Sequence, residues 1–476
     1  MDNNSNANGQ VSPYLRIWQV AYPLILINTS QTVMQFTDRK FLSMLGRDEV
    51  AAALPGGILS FTLGSFFLLT TAFATPLVAQ NHGRGDKAAC ARLPWAALAF
   101  ALCAGMIAAW VIPLFGPAMI GFAGHAPQLA GLEVDYFSAL MPGMGFTFVT
   151  AAFCSFFSGR GKTWVPAAIQ LSACLLNGIL NYILIFGYCG LPALGISGAG
   201  LGTTIANMSA ALAAMTIFLC VRQSEYPTRK PSSFRFADLK KLVSFGAPSG
   251  LHVMADVGAF TAVVFLIGRL GETAMATTAI AMSFNMLSFL PLVGLSEAVG
   301  IIVGQHIGRG DFRSAERTAY QAWHMAAAYM LLMGILFLFF PVVLINFFAP
   351  SAAASPEAQR QFESVISEGK VILACVALYN FLDATVFAFM GALRGAGDTR
   401  VPMWIVAGTG WLIWVPGTFL LVRHGASTVT VWGFIVFYLA ILAGLIFWRF
   451  RSGAWKKIQL TDHPAEPSYP AEEPIP

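Results

Sequence analysis

Twelve stretches of this chain run for about twenty residues or more with little charge, and that pattern decides the solvent the fold is built in. They cover 15–45, 50–79, 93–114, 134–157, 165–187, 195–221, 242–267, 275–303, 320–347, 371–393, 402–421 and 431–450. About 20 apolar residues suffice for a helix to cross a bilayer. Hydrophobic residues make up 57% of the 476 and charged ones only 11%, with a mean hydropathy of +0.67. A soluble domain carries about 25% charged residues, so a soluble fold is excluded and lipid must surround most of the chain. The 45 Gly and 25 Pro fit helices of that kind. The expected fold class is therefore all-α: a polytopic membrane protein of twelve transmembrane helices.

Charge between the helices orients them. Arg84, Lys87 and Arg92; Arg160 and Lys162; Arg229, Lys230, Arg235, Lys240 and Lys241; Arg309, Arg313 and Arg317; Arg394 and Arg400; and Arg449, Arg451, Lys456 and Lys457 mark alternate ends. The opposite ends hold little beyond Arg47, Arg269, Arg360 and Arg423. The positive-inside rule then puts both termini in the cytoplasm, with the cell inner membrane as the expected location. The opening dozen residues are polar without a cleavable signal, so the first helix is expected to stay in the mature protein. Net charge is +5 and dispersed, which gives no footing for nucleic acid. The seven cysteines form no CxxC pair, and Cys103, Cys154, Cys174, Cys220 and Cys375 read as small buried hydrophobes.

The chain also repeats itself. Gln80–Asp86 reads QNHGRGD and Gln305–Asp311 reads QHIGRGD, an offset of 225 at which Pro23 also matches Pro248 and Leu45-Gly46 matches Leu270-Gly271. Gly161, Thr163, Val165 and Pro166 match Gly397, Thr399, Val401 and Pro402 at an offset of 236, the difference fitting an extra loop at 349–359. Six helices per copy give both copies one orientation, a parallel repeat about an axis normal to the membrane. The expected organisation is an N-lobe over 1–222, a cytoplasmic linker at 223–241, a C-lobe over 242–452, and a cytoplasmic, disordered tail at 453–476.

An ionisable residue at mid-helix costs about 2.5–3.5 kcal/mol and marks a functional site by default. Helix one carries Asn28, Gln31, Gln35 and Asp38 on one face. Helix five adds Asn177 and Asn181, and helix six adds Thr203; with Asp38 they offer the oxygen-rich set a hard cation takes. Helix seven places Pro248, His252 and Asp256 one turn apart, a spacing that allows a His–Asp hydrogen bond, and helix ten carries Asn380 and Asp383. Glu297 sits within helix eight, while Glu133 and Asp135 read as interfacial. Gly161-Lys162-Thr163 lacks the strand and first glycine of a phosphate-binding loop, and no catalytic or metal-ligand spacing exists, so the chain is not read as an enzyme.

Several of these segments resemble the multidrug and toxic compound extrusion (MATE) family. They are Pro23 with QTVMQFTDRKFLSMLG, then LVAQNHGRGD and IVGQHIGRGD, GRGKTWVP, NGILNYILIFGYCGLPALGISGAGLGT and ALRGAGDTRVP. The resemblance covers roughly 15–451. It implies two six-helix lobes around a central cavity that exchange Na⁺ or H⁺ for organic, often cationic, compounds. By motif position Asp38, Asn177 and Thr203 resemble the family's N-lobe ion site, with Asn181 one turn on. Asp256 and Asp383 resemble the C-lobe carboxylate pair of NorM-like members, where the first is typically Glu.

The expected function is a secondary active antiporter exporting organic cations by alternating access. Asp256 and Asp383, with Asp38, Asn177, Asn181 and Thr203, are the ion-coupling candidates, and Na⁺ is a possible ligand at the three aspartates. Asn28, Gln31, Gln35, His252 and Asn380 are assigned to the substrate cavity, and Pro23 and Pro248 to hinges. No cofactor beyond the coupling ion is expected; the partners are small organic substrates and the lipid bilayer, and the chain is expected to act as a monomer. The alternatives are a lipid-linked saccharide flippase and, further off, an ion channel.

Overall fold

A computed structural model of the chain describes residues 12–121, 126–188, 190–230, 234–349, 356–458 and 460. Every regular element among them is helical. In chain order the long helices are α1 (Pro13–Ser43), α2 (Ala51–Gly83), α3 (Lys87–Gly121), α4 (Pro127–Gly159), α5 (Trp164–Phe186) and α6 (Gly195–Leu219). The second set is α7 (Phe236–Gly268), α8 (Glu272–Gly308), α9 (Phe312–Phe339), α10 (Pro356–Ala396), α11 (Arg400–Arg423) and α12 (Thr428–Arg451). All but α1 include a window apolar and long enough to cross a membrane. At 31 residues α1 reaches about 46 Å, so it falls short in hydropathy rather than length, diluted by its own polar stripe.

The repeated motifs turn out to be helix stops and starts. Gly85 and Gly310 take left-handed backbone angles (φ 80° and 78°) that end α2 and α8. Asp86 and Asp311 then cap α3 and α9, accepting hydrogen bonds from the Ala89 N–H at 2.8 Å and the Ser314 N–H at 2.9 Å. Gly161 and Gly397, at φ 79° and 89°, play the same part before α5 and α11. A motif copied at a fixed offset is therefore one tight turn used twice.

The halves are less separate than the sequence divides them. The start of α1 (Ile17, Val20, Ala21, Leu24) lies in the C-half core, and Leu242 from the start of α7 lies in the N-half core. Between the halves α1 packs on α8 and α2 packs on α7, equivalent pairs under the repeat. Close approach there is marked by glycine: a Cβ on Gly246 would lie 2.7 Å from the Thr70 carbonyl oxygen, and one on Gly294 would lie 2.7 Å from the Ile25 nitrogen.

Two expectations about the connections change. The helix α7 begins at Phe236, so the last residues of the 223–241 linker are helical. What precedes it folds onto the N-half: Tyr226 is buried, its ring 4.0 Å from the Arg160 guanidinium, Trp95 Nε1 donates to the Thr228 carbonyl at 2.9 Å, and Arg92 pairs with Asp238. The tail does not loosen at 453 either. Trp455 stacks on Phe450 at 5.4 Å, and Leu460 joins the N-half core beside a cavity of about 270 Å³ on the Lys/Arg-rich side. The expected disorder from 461 and most of the extra loop at 349–359 lie outside the described residues, as does Cys189. Cys103 and Cys220 are exposed rather than buried, and Cys154, Cys174 and Cys375 are half-buried.

Candidate functional site

In the N-half, three helices bring their polar residues into one chain of hydrogen bonds. Asn181 on α5 donates through Nδ2 to Asp38 Oδ1 on α1 and, at 3.3 Å, to Asn177 Oδ1 one turn earlier. Asn177 Nδ2 donates to Thr203 Oγ1 on α6 at 3.0 Å, and that hydroxyl donates to the Ala199 carbonyl at 3.0 Å. All four residues are buried, and Gly202 on α6 makes room for Asn181, whose side chain a Cβ at that position would strike. The rest of the α1 stripe stays outside this chain. Asn28 Nδ2 bonds back to the Leu24 carbonyl of its own helix at 3.1 Å, Gln31 is half-buried and Gln35 is exposed.

The C-half is built differently. Asp383 on α10 is buried, Asp256 on α7 is exposed, and the two are close enough for their charges to repel. Among the described residues no Lys, Arg or His lies within ion-pair distance of either. Asn380, one turn before Asp383, is fully buried with neither Nδ2 nor Oδ1 partnered. The wall of this region is the π-helical turn Gly410–Trp414 within α11, a distortion common at functional sites. Trp411 Nε1 donates to the Ala255 carbonyl beside Asp256 at 3.0 Å, and Trp414 stacks on Tyr438 at 4.6 Å. Tyr438 in turn lies near both aspartates.

His252 makes no hydrogen bond to Asp256; its charged neighbour is Arg394, which also faces Glu297. Arg394, read from the sequence as a helix-end cation, does lie in the last turn of α10, where it is half-buried. Glu133 is buried in the protein near the start of α4, while Asp135 is exposed. Pro23 and Pro248 lie inside unbroken helices, α1 and α7. The sequence had no signal for Tyr438 or Trp414, because an aromatic residue on an apolar helix looks like any other until its neighbours are known. No group of three His, Cys, Asp or Glu suited to a metal occurs among the described residues; an oxygen-ligand site for Na⁺ draws on amides and hydroxyls as well.

A family model, MatE, matches residues 23–183 and 248–420, one segment in each half and well over half of the chain. The chain belongs to the MatE family. It is 31% identical over 426 residues to a probable multidrug resistance protein NorM of Pseudomonas aeruginosa, covering 87% of this chain and 84% of that one. A probable NorM of Pseudomonas syringae pv. tomato is 30% identical over 425 residues, covering 88% and 90%. Among solved folds, a crystal structure of MATE in the bent conformation superposes with a TM-score of 0.82 at 18% identity, covering 94% of this chain and 97% of that one. An outward-facing MATE family transporter superposes at 0.78, with 17% identity over 94% and 98%. As a MatE family member the chain is a membrane transporter and not an enzyme.

Proposed function

We propose that this MatE protein is a secondary active multidrug exporter of the cell inner membrane, moving organic cations outward in exchange for Na⁺ or H⁺. The observation that carries the reading is the pair Asp256 and Asp383: two carboxylates from α7 and α10, close enough to repel, with no basic side chain within ion-pair distance of either among the described residues. A carboxylate at that depth stays ionised only with a cationic partner, and here the partner has to arrive from solution. A proton, a Na⁺ ion and a cationic substrate each satisfy that need. They cannot all do so together, and this mutual exclusion is what antiport requires.

The coupling ion belongs, in this reading, to the C-half, where Asn380 supplies a free amide oxygen one turn from Asp383. Asp256 is exposed and so accessible to cargo, while Asp383 is buried and better suited to the ion. Both termini face the cytoplasm, and Pro23 and Pro248 are where α1 and α7 bend as the lobes alternate. A ligand shifts such an equilibrium only through unequal affinity for its two states, so ion and cargo must each prefer opposite ones. Relatives named as multidrug resistance proteins support the class of cargo, and the acidic pair supports its charge against the anionic cargo of a flippase.

The test is efflux of a cationic dye from proteoliposomes with Na⁺ and pH gradients imposed separately. One gradient should drive efflux and the other leave it at background. Efflux indifferent to both gradients, or preference for an anionic dye, sinks the proposal.

A further inference from the structure

The most exact internal repetition in the chain touches none of the membrane acids. Its two blocks, QxxGRGD and GxTxVP, meet on the Lys/Arg-rich side. Gln80 Nε2 donates to the Gly395 carbonyl at 2.9 Å, and Gln305 Nε2 donates to the Gly159 carbonyl at 2.9 Å. Gln80 and Gln305 are repeat equivalents, and so are Gly159 and Gly395. The two bonds are therefore one contact made twice, each reaching from one half into the other, with both amides buried. Gly83 and Gly308, again equivalent, permit it. A side chain on Gly83 would strike the Gln305 carbonyl, and one on Gly308 the Gln80 carbonyl.

A second pair joins this contact to the proline helices. Thr163 Oγ1 donates to the Val20 carbonyl at 3.1 Å and Thr399 Oγ1 to the Phe245 carbonyl at 2.7 Å. Val20 and Phe245 each lie three residues before a proline, Pro23 and Pro248, in the turn that proline leaves one donor short. These helices are the ones that carry Asp38 and Asp256.

We propose that Gln80, Gln305, Gly83 and Gly308 form a pseudo-twofold gate sealing the Lys/Arg-rich side, and that Thr163 and Thr399 fasten the gate to the proline turns of α1 and α7. Opening breaks both amide–carbonyl bonds together, because the backbones that carry them are apposed by the same pair of glycines. A buried amide left unmet is costly, so a half-open gate is disfavoured and water must reach both glutamines at once. Closure is thus all-or-none. Arg16 Nη2, donating to Gln305 Oε1 at 3.1 Å, holds that amide with its N–H groups toward Gly159. The role assigned to the gate rests on the transporter reading; its existence does not.

A disulfide reads the gate directly. A Cβ on Gly304 lies 3.1 Å from the Ala79 Cβ across the halves, within a few tenths of an ångström of the roughly 3.5–4.5 Å a disulfide spans. With the seven native cysteines replaced, Ala79→Cys/Gly304→Cys should cross-link under mild oxidation, lose dye efflux and regain it on reduction. Adding the isosteric pair Gln80→Met/Gln305→Met should lower the cross-linking rate at least about fivefold, the effect of roughly 1 kcal/mol lost from closure. Thr163→Val/Thr399→Val should leave cross-linking closer to the parent but slow efflux. A cross-linking rate unchanged by the glutamine pair, or a cross-linked protein that still exports dye at the parent rate, overturns the gate. Efficient, glutamine-dependent cross-linking in a protein that moves no dye under any gradient supports the gate and counts against the export reading alone.

Discussion

The two halves of this transporter share a backbone plan and differ in how they treat buried polarity. In the N-half, Asp38, Asn181, Asn177 and Thr203 hand hydrogen bonds along a chain that ends on the Ala199 carbonyl and leaves one buried atom, Asn181 Oδ1, without a partner. In the C-half, Asn380 is buried with both polar atoms unmet and Asp383 has a like charge, not an opposite one, for its neighbour. A network with most of its groups met holds a fold together; a buried amide with none of its groups met is open to a ligand. Duplication thus gave two copies of one architecture, and in the function proposed above the copies diverge, one toward structure and the other toward a site.

The largest effect that tests this contrast is on transport. Asp383→Asn and Asp256→Asn should each lower gradient-driven efflux to that of liposomes without protein, since an amide neither binds a proton near neutral pH nor carries the charge that holds a cation. Asp38→Asn should reduce efflux only about fivefold, the effect of weakening one charge-assisted hydrogen bond by about 1 kcal/mol. Equal losses in all three variants would mean that both halves couple ions, and the contrast drawn here would fail.

Stability should run the other way. Asn177→Leu removes a residue that both donates and accepts in the chain, leaving Asn181 and Thr203 short of partners, and should cost about 2–3 kcal/mol in unfolding. Asn380→Leu removes an amide already without partners, and should be neutral to stabilising while abolishing any Na⁺-dependent rise in melting temperature. Thermal unfolding of detergent-solubilised protein with and without Na⁺ measures both. A greater loss of stability from Asn380→Leu than from Asn177→Leu would show that Asn380 is bonded in the folded protein after all.

What the sequence disclosed follows from the same contrast. Membrane spans, the repeat and the grouping of Asp38 with Asn177, Asn181 and Thr203 were legible, because a polar residue in an apolar helix stands out and helical spacing shows which face it takes. Partners across helices were not legible. Nothing local indicates that His252 faces Arg394 rather than Asp256, that Trp414 and Tyr438 stack beside the acidic pair, or that the start of α1 belongs to the opposite core. Gln80 and Gln305 were visible only as matching letters; their use required two backbones close enough to exclude a Cβ.

The smallest expected effect is also the most discriminating for the N-half. Thr203 sits at the rim of the chain, 7% exposed, where its hydroxyl accepts from Asn177 and donates to the Ala199 carbonyl. Thr203→Val keeps the shape and deletes both bonds. Since Ala199 and Thr203 lie in one helix, the carbonyl retains its backbone donor and only Asn177 Nδ2 is left without a partner. About 1 kcal/mol of stability should go with it, and ion-driven efflux should not change, because the Asp38–Asn181 bond is untouched. If the hydroxyl is instead an ion ligand, the variant will keep nearly all of its stability in Na⁺-free buffer and lose gradient-driven efflux. Those opposite signatures separate a polar residue that holds a helix in place from one that holds a cation.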